Sequence, residues 1–381
     1  MKFLHLADLH IGKNVNGFSM LGEQRHAFDQ IIGYVQTERP AAVVIAGDVY
    51  DRAVPDARAV GVFDDFLTAL SREGVAVLLI AGNHDSPERL GFASRLLADQ
   101  RLFLCGAFDG GVRHVTLGDE YGDVHFWMLP FVKPSSVRGY RGERTIDSYD
   151  DAVAAALDAA NIDYAARNVL LSHQFYTKAG TALLRSESEI NPVGGLDAVD
   201  ATLIERFDYA ALGHLHGAQS VGARHLRYAG SPVKYSFSEW RQEKSVSLVE
   251  LGEKGALSVT VLPLSPLHDM REIVGELEVL TSDGIASLAD RQDYLRVVLT
   301  DEAELVDPMG KLRSVYPHVM SLDFENARTR VDLDSIAADG EAAALTPYEL
   351  FGEFFLDVQG STMSAEQAGI VRELLEGEDE A

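Results

Sequence analysis

The chain has 381 residues, 46% of them hydrophobic, which is enough to bury a sizeable core and to form two or three domains. With 33 basic and 59 acidic residues its formal net charge is −26, which argues against a protein that grips nucleic acid unaided. Either the substrate is not nucleic acid, or a partner supplies most of the phosphate contacts. The single cysteine, Cys105, excludes an intramolecular disulfide.

The N-terminal sequence MKFLHLADLH lacks the long apolar region and the cleavage site of a signal peptide. No later segment reaches the length that a membrane-spanning helix needs. Together with the lone cysteine, which suits a reducing compartment, these features predict a cytoplasmic protein.

Residues 1–100 alternate short apolar strands with amphipathic helices. Residues 3–7, 43–46 and 75–80 are rich in branched side chains and lack polar alternation, which predicts buried strands. Between them, residues 24–37 and 56–73 carry apolar side chains at helical spacing. This rhythm predicts an α/β layered fold.

The middle of the chain is richer in strands. Residues 112–128 are β-rich and broken by glycine and aspartate, whereas the alanine-rich residues 150–160 predict a helix. Many strands with helices outside them predict two packed sheets in a four-layer αββα sandwich, and not one doubly wound sheet. Further strands are predicted at 168–171, 209–212, 225–229, 245–251 and 257–262.

A smaller module follows the sequence PLSP at residues 263–266, which is predicted to be a linker. Strands predicted at 271–277, 294–300 and 319–324, with helices between them, indicate a small α+β capping domain.

The end of the chain is acidic and helical. Residues 341–381 hold ten acidic residues and one basic residue, Arg372. Thr346, Pro347 and Glu349 have the spacing of a capping box with proline at the first helical position. The expected domains are therefore 1–263, 267–335 and a C-terminal helical segment, 341–381.

Five short polar motifs directly follow predicted strands. Because residues just past the carboxyl ends of strands converge on one crevice, we expect the motifs to meet at one place. Gly47, Gly82 and Gly213 lie where the backbone must crowd that place, a role that suits glycine. The motifs are Asp8-Leu9-His10, Gly47-Asp48-Val49-Tyr50-Asp51, Gly82-Asn83-His84-Asp85, Ser172-His173 and Gly213-His214-Leu215-His216.

These motifs supply imidazole, carboxylate and amide groups without thiolate, a set that suits Mn²⁺, Zn²⁺ or Fe²⁺. Seven ligands are too many for one tetrahedral site but suit two ions about 3.5–4 Å apart that share a carboxylate. If the backbone of 213–216 is extended, its two imidazoles lie on one side and can serve one ion each. The candidate ligands are Asp8, His10, Asp48, Asn83, His173, His214 and His216.

The remaining histidines have no such context and are interpreted as core or surface residues. His5, one strand position out of register with Asp8 and His10, is predicted to pack inside the first strand. The others are His26, His114, His125, His225, His268 and His318.

In this order the motifs resemble the calcineurin-like metallophosphoesterase family. The resemblance implies that Asp8, His10, Asp48 and His216 hold one metal. It implies that Asp48 bridges to a second metal held with Asn83, His173 and His214. His84 is then no ligand but the residue that reaches the scissile phosphate. Ser172 departs from the glycine that many members have before this histidine.

Longer segments resemble the nuclease subunits of bacterial DNA-end-processing complexes within that family. They are HLADLHIGK, AGDVYD, IAGNHDSPERL, ALGHLHGAQ and YAGSPVKYSFSE, followed by SPLHDMREI at the start of the smaller module, so the resemblance covers roughly residues 1–335. It implies a homodimer in a heterotetramer with a coiled-coil ATPase, two divalent ions with Mn²⁺ preferred, and a role in DNA repair and recombination. The implied substrates are double-stranded DNA ends, hairpins and single strands. Such a partner would also explain the acidic charge.

Further residues are assigned roles around this site. Asp51 or Asp85 is predicted to orient a metal-binding imidazole, although Asp85 also suits a helix N-cap before Pro87. Four cations are candidates for contact with DNA phosphates, with solvated surface charge as the alternative: Arg52, Arg89, Lys234 and Arg241.

The helix that opens at Thr346 has one apolar face. We expect this face to bind the ATPase partner, and the alternative is that it packs on the chain's own core. The face consists of Leu350, Phe351, Phe354 and Phe355.

Two rival functions remain open. One is a small-molecule phosphodiesterase or phosphatase of the same family, although such an enzyme needs little beyond the sandwich. The other is a non-catalytic scaffold that has lost its metals, which the complete set of seven ligands argues against.

Overall fold

The computed structural model describes residues 1–140, 142, 145–189, 197–326 and 346–376. The chain divides into two compact units, Met1–Asp269 and Met270–Ala381. None of the helices in the described residues is both long enough and apolar enough to cross a membrane.

The larger unit contains two six-stranded sheets. The first has the order Leu257–Pro263, Ser245–Leu251, Lys2–Leu6, Ala42–Ala46, Ala76–Ile80 and Leu102–Cys105. The second has the order Gln219–Ser220, Leu226–Tyr228, Tyr209–Leu212, Arg167–Ser172, Gly122–Leu129 and Arg113–Asp119. Two small ribbons pair Asn14–Val15 with Phe18–Ser19 and Phe175–Thr177 with Ala198–Asp200.

Helices cover the outer faces of both sheets. Phe28 and Phe66, from two helices on the first sheet, stack with ring centroids 4.4 Å apart in one apolar core. A second core packs the helix Tyr149–Asp158 on the other sheet. The helices of this unit are Leu21–Glu38, Ala57–Arg72, Pro87–Leu90, Ser94–Leu97, Pro134–Arg138 and Tyr149–Asp158, with 3-10 turns at Ala98–Gln100, Ala201–Ile204 and Phe237–Glu239.

A third core fills the space between the sheets. It includes Phe3 from the first sheet and Phe126 and Tyr209 from the second, whose rings meet edge to face. Inner strands such as Ala42–Ala46 and Ala76–Ile80 are continuous apolar runs because both of their faces are covered. The predicted four-layer αββα sandwich is confirmed.

The predicted linker at 263–266 is wrong. Pro263 still belongs to a strand, Leu264 is buried, and the Ser265 amide donates to the Gln30 side chain at 2.9 Å. The amide of Leu267 donates to Glu23 at 3.0 Å. These bonds tie the segment to the helix Leu21–Glu38, so the larger unit ends at Asp269.

The smaller unit is built on three parallel strands with their own apolar core. Its first strand ends at Gly275, earlier than predicted, because Leu277 begins a helix. Thr346 and Glu349 form the predicted capping box. The strands are Met270–Gly275, Tyr294–Leu299 and Val319–Phe324, and the helices are Leu277–Leu280, Asp283–Ala286, Pro308–Val315, Pro347–Gln359 and Ala365–Glu376.

Candidate metal centre

Each of the five motifs directly follows a strand, and each of these strands pairs in parallel with another of the five. Lys2–Leu6, Ala42–Ala46 and Ala76–Ile80 are neighbours in the first sheet. Arg167–Ser172 and Tyr209–Leu212 are neighbours in the second. Their carboxyl ends meet at the same edge of the sandwich, as the sequence predicted, because all strands within each group run in one direction.

The backbone leaves the strands in a strained conformation. Asp8, His10 and Asp48 have positive φ angles of 54°, 41° and 50°. Such conformations cost about 1–3 kcal/mol each in a residue other than glycine and concentrate at functional sites. Two hydrogen bonds between the loops hold them, from the Asp8 amide to the Gly47 carbonyl at 3.1 Å and from the His10 amide to the Asp48 carbonyl at 3.0 Å.

Asp48 lies between two groups of side chains. Its Oδ2 is 3.2 Å from His173 Nε2 on one side and 3.6 Å from His10 Nε2 on the other. Its Oδ1 accepts the backbone amide of His84 at 2.9 Å. This carboxylate therefore faces both groups of imidazoles, the position that a bridging ligand needs.

Asn83 belongs to the group on the His173 side. Its Oδ1 lies 3.1 Å from His173 Nε2 and 3.2 Å from His214 Nδ1. The amide oxygen and the two imidazole nitrogens thus converge together with Asp48.

His10 and His216 belong to the other group, where their Nε2 atoms are 3.1 Å apart. Asp8 Oδ1 accepts the backbone amide of His214 at 2.9 Å. Within the part of the chain that the structure describes, three sets of side chains bring their ligand atoms within 4.8 Å of one another: Asp8, His10 and His216; His10, Asp48 and His84; and Asp8, Asp48 and His173.

Hydrogen bonds at the outer nitrogens orient two of the imidazoles. His173 Nδ1 donates to the Ala46 carbonyl at 2.6 Å, and His216 Nδ1 lies 2.7 Å from Ser188 Oγ. An imidazole protonated at Nδ1 keeps the Nε2 lone pair for a metal. In both residues Nε2 is the atom that faces the other candidate ligands.

The electrostatics of the centre also suit a cation. Burial raises the pKa of Asp8 well above its usual value. Burial acts in the same direction on Asp48, but His173 and His10 outweigh it and hold the pKa of Asp48 well below its usual range. Burial lowers the pKa of His214 to about 3. Burial also acts against the charged form of His173, but Asp48 and Asp8 outweigh it and raise the pKa of His173 to about 9. A divalent cation would favour the ionised form of Asp8 and would displace the proton of His173, because metal ligands bind in their deprotonated form.

His84 lies beside this group. Its Nδ1 donates to the Asp51 carbonyl at 3.0 Å, and its ring centroid is 4.8 Å from that of His10 in an edge-to-face contact. The imidazole is half-buried, whereas His10 is fully buried. His84 and His214 are thus the half-buried histidines of the centre, and of the two it is His84 that is not among the predicted metal ligands.

The three glycines leave no room for a side chain. A Cβ at Gly47 would lie 2.3 Å from His173 Nδ1, and one at Gly213 would lie 2.0 Å from the Ala46 carbonyl oxygen. A Cβ at Gly82 would lie 2.1 Å from Asp48 Oδ1. The close approach of backbone to these side chains therefore explains the glycines.

Gly82→Ala is expected to displace the Asp48 carboxylate and to lower divalent-metal affinity at least tenfold. Titration calorimetry with Mn²⁺ measures this effect. Gly61→Ala is the matched control, because Gly61 lies in the helix Ala57–Arg72 with open space around its Cβ position. It should leave metal binding unchanged and stabilise the protein by about 0.5–1 kcal/mol. Wild-type affinity in Gly82→Ala would contradict the steric argument.

The extended backbone predicted for residues 213–216, which was to place His214 and His216 on one side, is wrong. His214 has φ 101°, so the backbone of 213–216 is not extended. The turn at His214, and not strand alternation, sends its imidazole toward Asn83 while that of His216 faces His10.

Asp85 has neither of its predicted roles. Its carboxylate accepts the backbone amides of Val49, Tyr50 and Gly82 at 2.9–3.1 Å, and the residue before the helix Pro87–Leu90 is Ser86. It therefore joins the second and third motif loops and does not orient an imidazole. Asp51 is nearer to that role, because its Oδ1 lies 3.8 Å from His10 Nδ1 and accepts from Lys13 Nζ at 2.8 Å.

The four cations proposed to contact DNA differ in their surroundings. Lys234 does not fit that role, because its side chain is 11% exposed and Nζ donates to Asp269 at 2.6 Å and to the Trp240 carbonyl at 2.7 Å. Arg52 and Arg89 are exposed, and Arg241 is exposed with its guanidinium 4.4 Å from the Trp240 ring centroid.

A polar network behind His216 was not predicted from the sequence. Glu239 is fully buried, and its Oε1 lies 3.3 Å from His216 Nδ1. Ser188 and Lys244 donate to the same carboxylate at 2.6 Å each. The only available signal was the position of Glu239 at the end of the segment YAGSPVKYSFSE, which carried the resemblance but had no assigned chemistry.

His5 is in the core as predicted. It is fully buried, and its Nδ1 lies 2.9 Å from the Tyr209 hydroxyl across the two sheets.

Comparison with protein families identifies the class that this fold and site define. A model of the calcineurin-like phosphoesterases matches residues 1–218, more than half of the chain. The chain therefore belongs to the calcineurin-like phosphoesterase family. A second model, described as the Type 5 capsule protein repressor C-terminal domain, matches residues 266–359.

Within this family the chain is a homologue of SbcD, as its motifs predicted. It is 31% identical over 325 residues to the SbcD subunit of the nuclease SbcCD from Staphylococcus epidermidis, a match that covers 84% of this chain and 85% of that protein. Two solved structures match this chain over most of their own length. A dimetal phosphatase from Danio rerio has a TM-score of 0.41 and 10% identity, covering 69% of this chain and 96% of that one. A phosphopantetheinyl hydrolase from Mycobacterium tuberculosis has a TM-score of 0.39 and 15% identity, covering 63% and 92%.

Proposed function

We propose that this chain is the nuclease subunit of an SbcCD-type complex and hydrolyses DNA phosphodiester bonds with two divalent cations. The convergence of imidazole, carboxylate and amide side chains at five strand ends carries the proposal. The similarity to an SbcD protein over both units supports DNA as the substrate, because a small-molecule phosphodiesterase needs no second unit.

The residues divide between the two cations as the family resemblance implies. When bound, the cations supply the Lewis acidity and the activated water that phosphoester hydrolysis needs. Mn²⁺ fits this set, which has oxygen and imidazole donors and no thiolate. One cation would be held by Asp8, His10 and His216 and the other by Asn83, His173 and His214, while Asp48 would serve both.

His84 acts on the substrate. Because its Nδ1 donates to the Asp51 carbonyl, the ring is held in place and Nε2 is the atom that meets the phosphate or carries a proton to the departing sugar oxygen. Half-burial of the imidazole leaves it open to a substrate in the crevice.

The acidic charge indicates that this chain does not hold DNA alone. We propose that an SbcC-type coiled-coil ATPase supplies most of the contacts to DNA phosphates. A homodimer of this chain would assemble with it into a heterotetramer that digests double-stranded ends with ATP and cleaves hairpins and single strands. This activity would serve DNA repair and recombination. Arg52, Arg89 and Arg241, all exposed, are the local candidates for phosphate contacts.

An assay with purified protein and Mn²⁺ tests the function. Labelled single-stranded, hairpin and duplex DNA are compared with a chromogenic phosphodiester, with chelator as the blank. Cleavage of DNA that requires Mn²⁺, extended to duplex ends when the ATPase and ATP are added, is expected. Turnover of the chromogenic diester without any DNA cleavage would favour a small-molecule phosphodiesterase. Absence of both activities in metal-loaded protein would favour a scaffold.

The C-terminal helix Pro347–Gln359 is proposed to bind the ATPase. Its apolar side chains are exposed, Leu350 at 48%, Phe351 at 39% and Phe354 at 59%, while Phe355 is half-buried. The helix contacts its neighbour Ala365–Glu376, where Arg372 stacks on Tyr348. This exposure supports a partner-binding face over a core-packing one.

Phe354→Glu is expected to weaken binding of an SbcC-type ATPase at least tenfold, because a charge replaces an apolar contact. The melting temperature and Mn²⁺-dependent cleavage of single strands should stay unchanged. Glu353→Gln, at an exposed position on the same helix, is the control and should bind normally. A large fall in melting temperature with ATPase binding intact would show that the face packs on the chain itself.

A further inference from the structure

His216 is held from behind by a buried ionic network. Its ring presents Nε2 to His10 at 3.1 Å and Nδ1 to the opposite side. There Nδ1 lies 2.7 Å from Ser188 Oγ and 3.3 Å from Glu239 Oε1. The imidazole therefore connects the candidate metal centre to a carboxylate.

Both oxygens of Glu239 are engaged. Oε1 accepts from Ser186 Oγ at 2.5 Å and from Ser188 Oγ at 2.6 Å as well as facing His216. Oε2 lies 2.6 Å from Lys244 Nζ and accepts the Tyr235 amide at 3.3 Å. The carboxylate is fully buried, so these bonds fix its position and direction.

Lys244 forms a hydrogen bond with the backbone of His216. Its buried Nζ donates to the His216 carbonyl at 3.0 Å and to Ser231 Oγ at 3.0 Å. The network thus holds the ring of His216 through Glu239 and its main chain through Lys244. A buried ion pair contributes little to stability on balance, because desolvation offsets the attraction. Stability alone therefore does not explain why a pair lies here.

We propose that Glu239, with Lys244 and Ser188, is a positioning residue that aims His216 Nε2 at the cation held by Asp8, His10 and His216. A carboxylate behind a metal-binding imidazole fixes its ring and makes it a stronger ligand. Ser188, Glu239 and Lys244 form hydrogen bonds with one candidate ligand, His216. The loss of these bonds should therefore weaken binding of the cation that His216 helps to hold and leave the other cation unaffected. This proposal rests on the two-metal site proposed above.

The test is Mn²⁺ binding to the full chain, measured by titration calorimetry and by electron paramagnetic resonance, with melting temperature recorded in parallel. E239Q keeps the shape of the side chain and removes its charge. It is expected to weaken one Mn²⁺ site about 10- to 100-fold and to leave the other unchanged. If E239Q does not fold, Ser188→Ala replaces it, since this change removes a half-buried hydroxyl next to His216 Nδ1.

Asp119→Asn is the matched control. It breaks another ion pair, in which Arg167 donates to Asp119 at 2.5 Å on the edge strand Arg113–Asp119. This variant should lose thermal stability and keep both Mn²⁺ affinities.

Wild-type affinity at both sites in the folded variant would overturn the positioning role, as would equal weakening of both sites. Wild-type protein that binds no Mn²⁺ would instead refute the proposed two-metal function, on which the inference depends. Selective weakening of one site in E239Q or Ser188→Ala supports both.

Discussion

Asp48→Ala is expected to abolish DNA cleavage and to remove both high-affinity Mn²⁺ sites. Asp48 faces His173 at 3.2 Å and His10 at 3.6 Å, so one substitution removes a ligand from each cation. Binding that favours the folded state raises stability by about 2.7 kcal/mol at a ligand concentration 100 times Kd. The variant should therefore lose the rise in melting temperature that Mn²⁺ gives the wild-type protein. Calorimetric stoichiometry and melting with and without Mn²⁺ measure these effects.

Asp56→Ala is the control for this experiment. Asp56 caps the helix Ala57–Arg72 by accepting the amides of Arg58 and Ala59. Its loss should cost about 0.5–2 kcal/mol of stability and change neither metal binding nor cleavage. Full Mn²⁺-dependent cleavage by Asp48→Ala would refute the two-metal assignment.

His84→Gln is expected to lower cleavage by about 10²–10⁴-fold while both Mn²⁺ ions stay bound. His84 is half-buried, and its Nδ1 is held by the Asp51 carbonyl, which suits a group that acts on substrate. Its ligand atom also lies within 4.8 Å of those of His10 and Asp48, so the geometry permits a ligand role as well. Single-turnover cleavage and Mn²⁺ stoichiometry, measured on the same preparation, separate the two roles.

His125→Gln is the matched control, because His125 pairs with His114 on the sheet surface at 3.0 Å and belongs to none of the motifs. It should cleave DNA at the wild-type rate. Loss of one Mn²⁺ from His84→Gln would make His84 a ligand and contradict the role proposed here.

The strand ends that build the centre were predictable from the sequence. Buried parallel strands appear as uninterrupted apolar runs, and the first polar residues after each run must lie at the sheet edge. Asp8, Asp48 and His173 follow such runs within two residues of the strand end. Local pattern therefore determined the architecture and the convergence of the motifs.

The conformation inside the motifs was not predictable in the same way. The backbone turns at His214, which directs its imidazole toward Asn83. The His214 amide donates to Asp8, which follows a strand of the other sheet, so this turn depends on residues that are distant in sequence. Asp85 has the local sequence of a helix cap, yet its carboxylate accepts two backbone amides from another loop and one from its own loop. Tertiary hydrogen bonds overrode local preference at both positions.

The exposure of Lys234 and Lys244 could not be predicted from the sequence either. Lys234 and Lys244 lie ten positions apart in one basic and aromatic segment, and nothing in their local sequence ranks one as exposed. In the structure Lys234 binds Asp269 and Lys244 binds Glu239, so neither ammonium is free for DNA. A side chain's burial depends on which acidic group the fold brings to it.

The sequence by itself thus determined the four-layer class and the candidate ligands, because strand periodicity and the residues at strand ends are local properties. The family followed from the resemblance of the ordered motifs to known members. Only the tertiary structure decided which nitrogen of His173 and His216 faces the centre, how Asp48 lies between two groups, and what stands behind His216. Ser188, His216 and Glu239 are far apart in the chain, and their contact arises from the folding of loops whose sequence carries no periodic signal. Long-range hydrogen bonds of buried polar groups fix these details, since each such group must find a partner wherever the fold provides one.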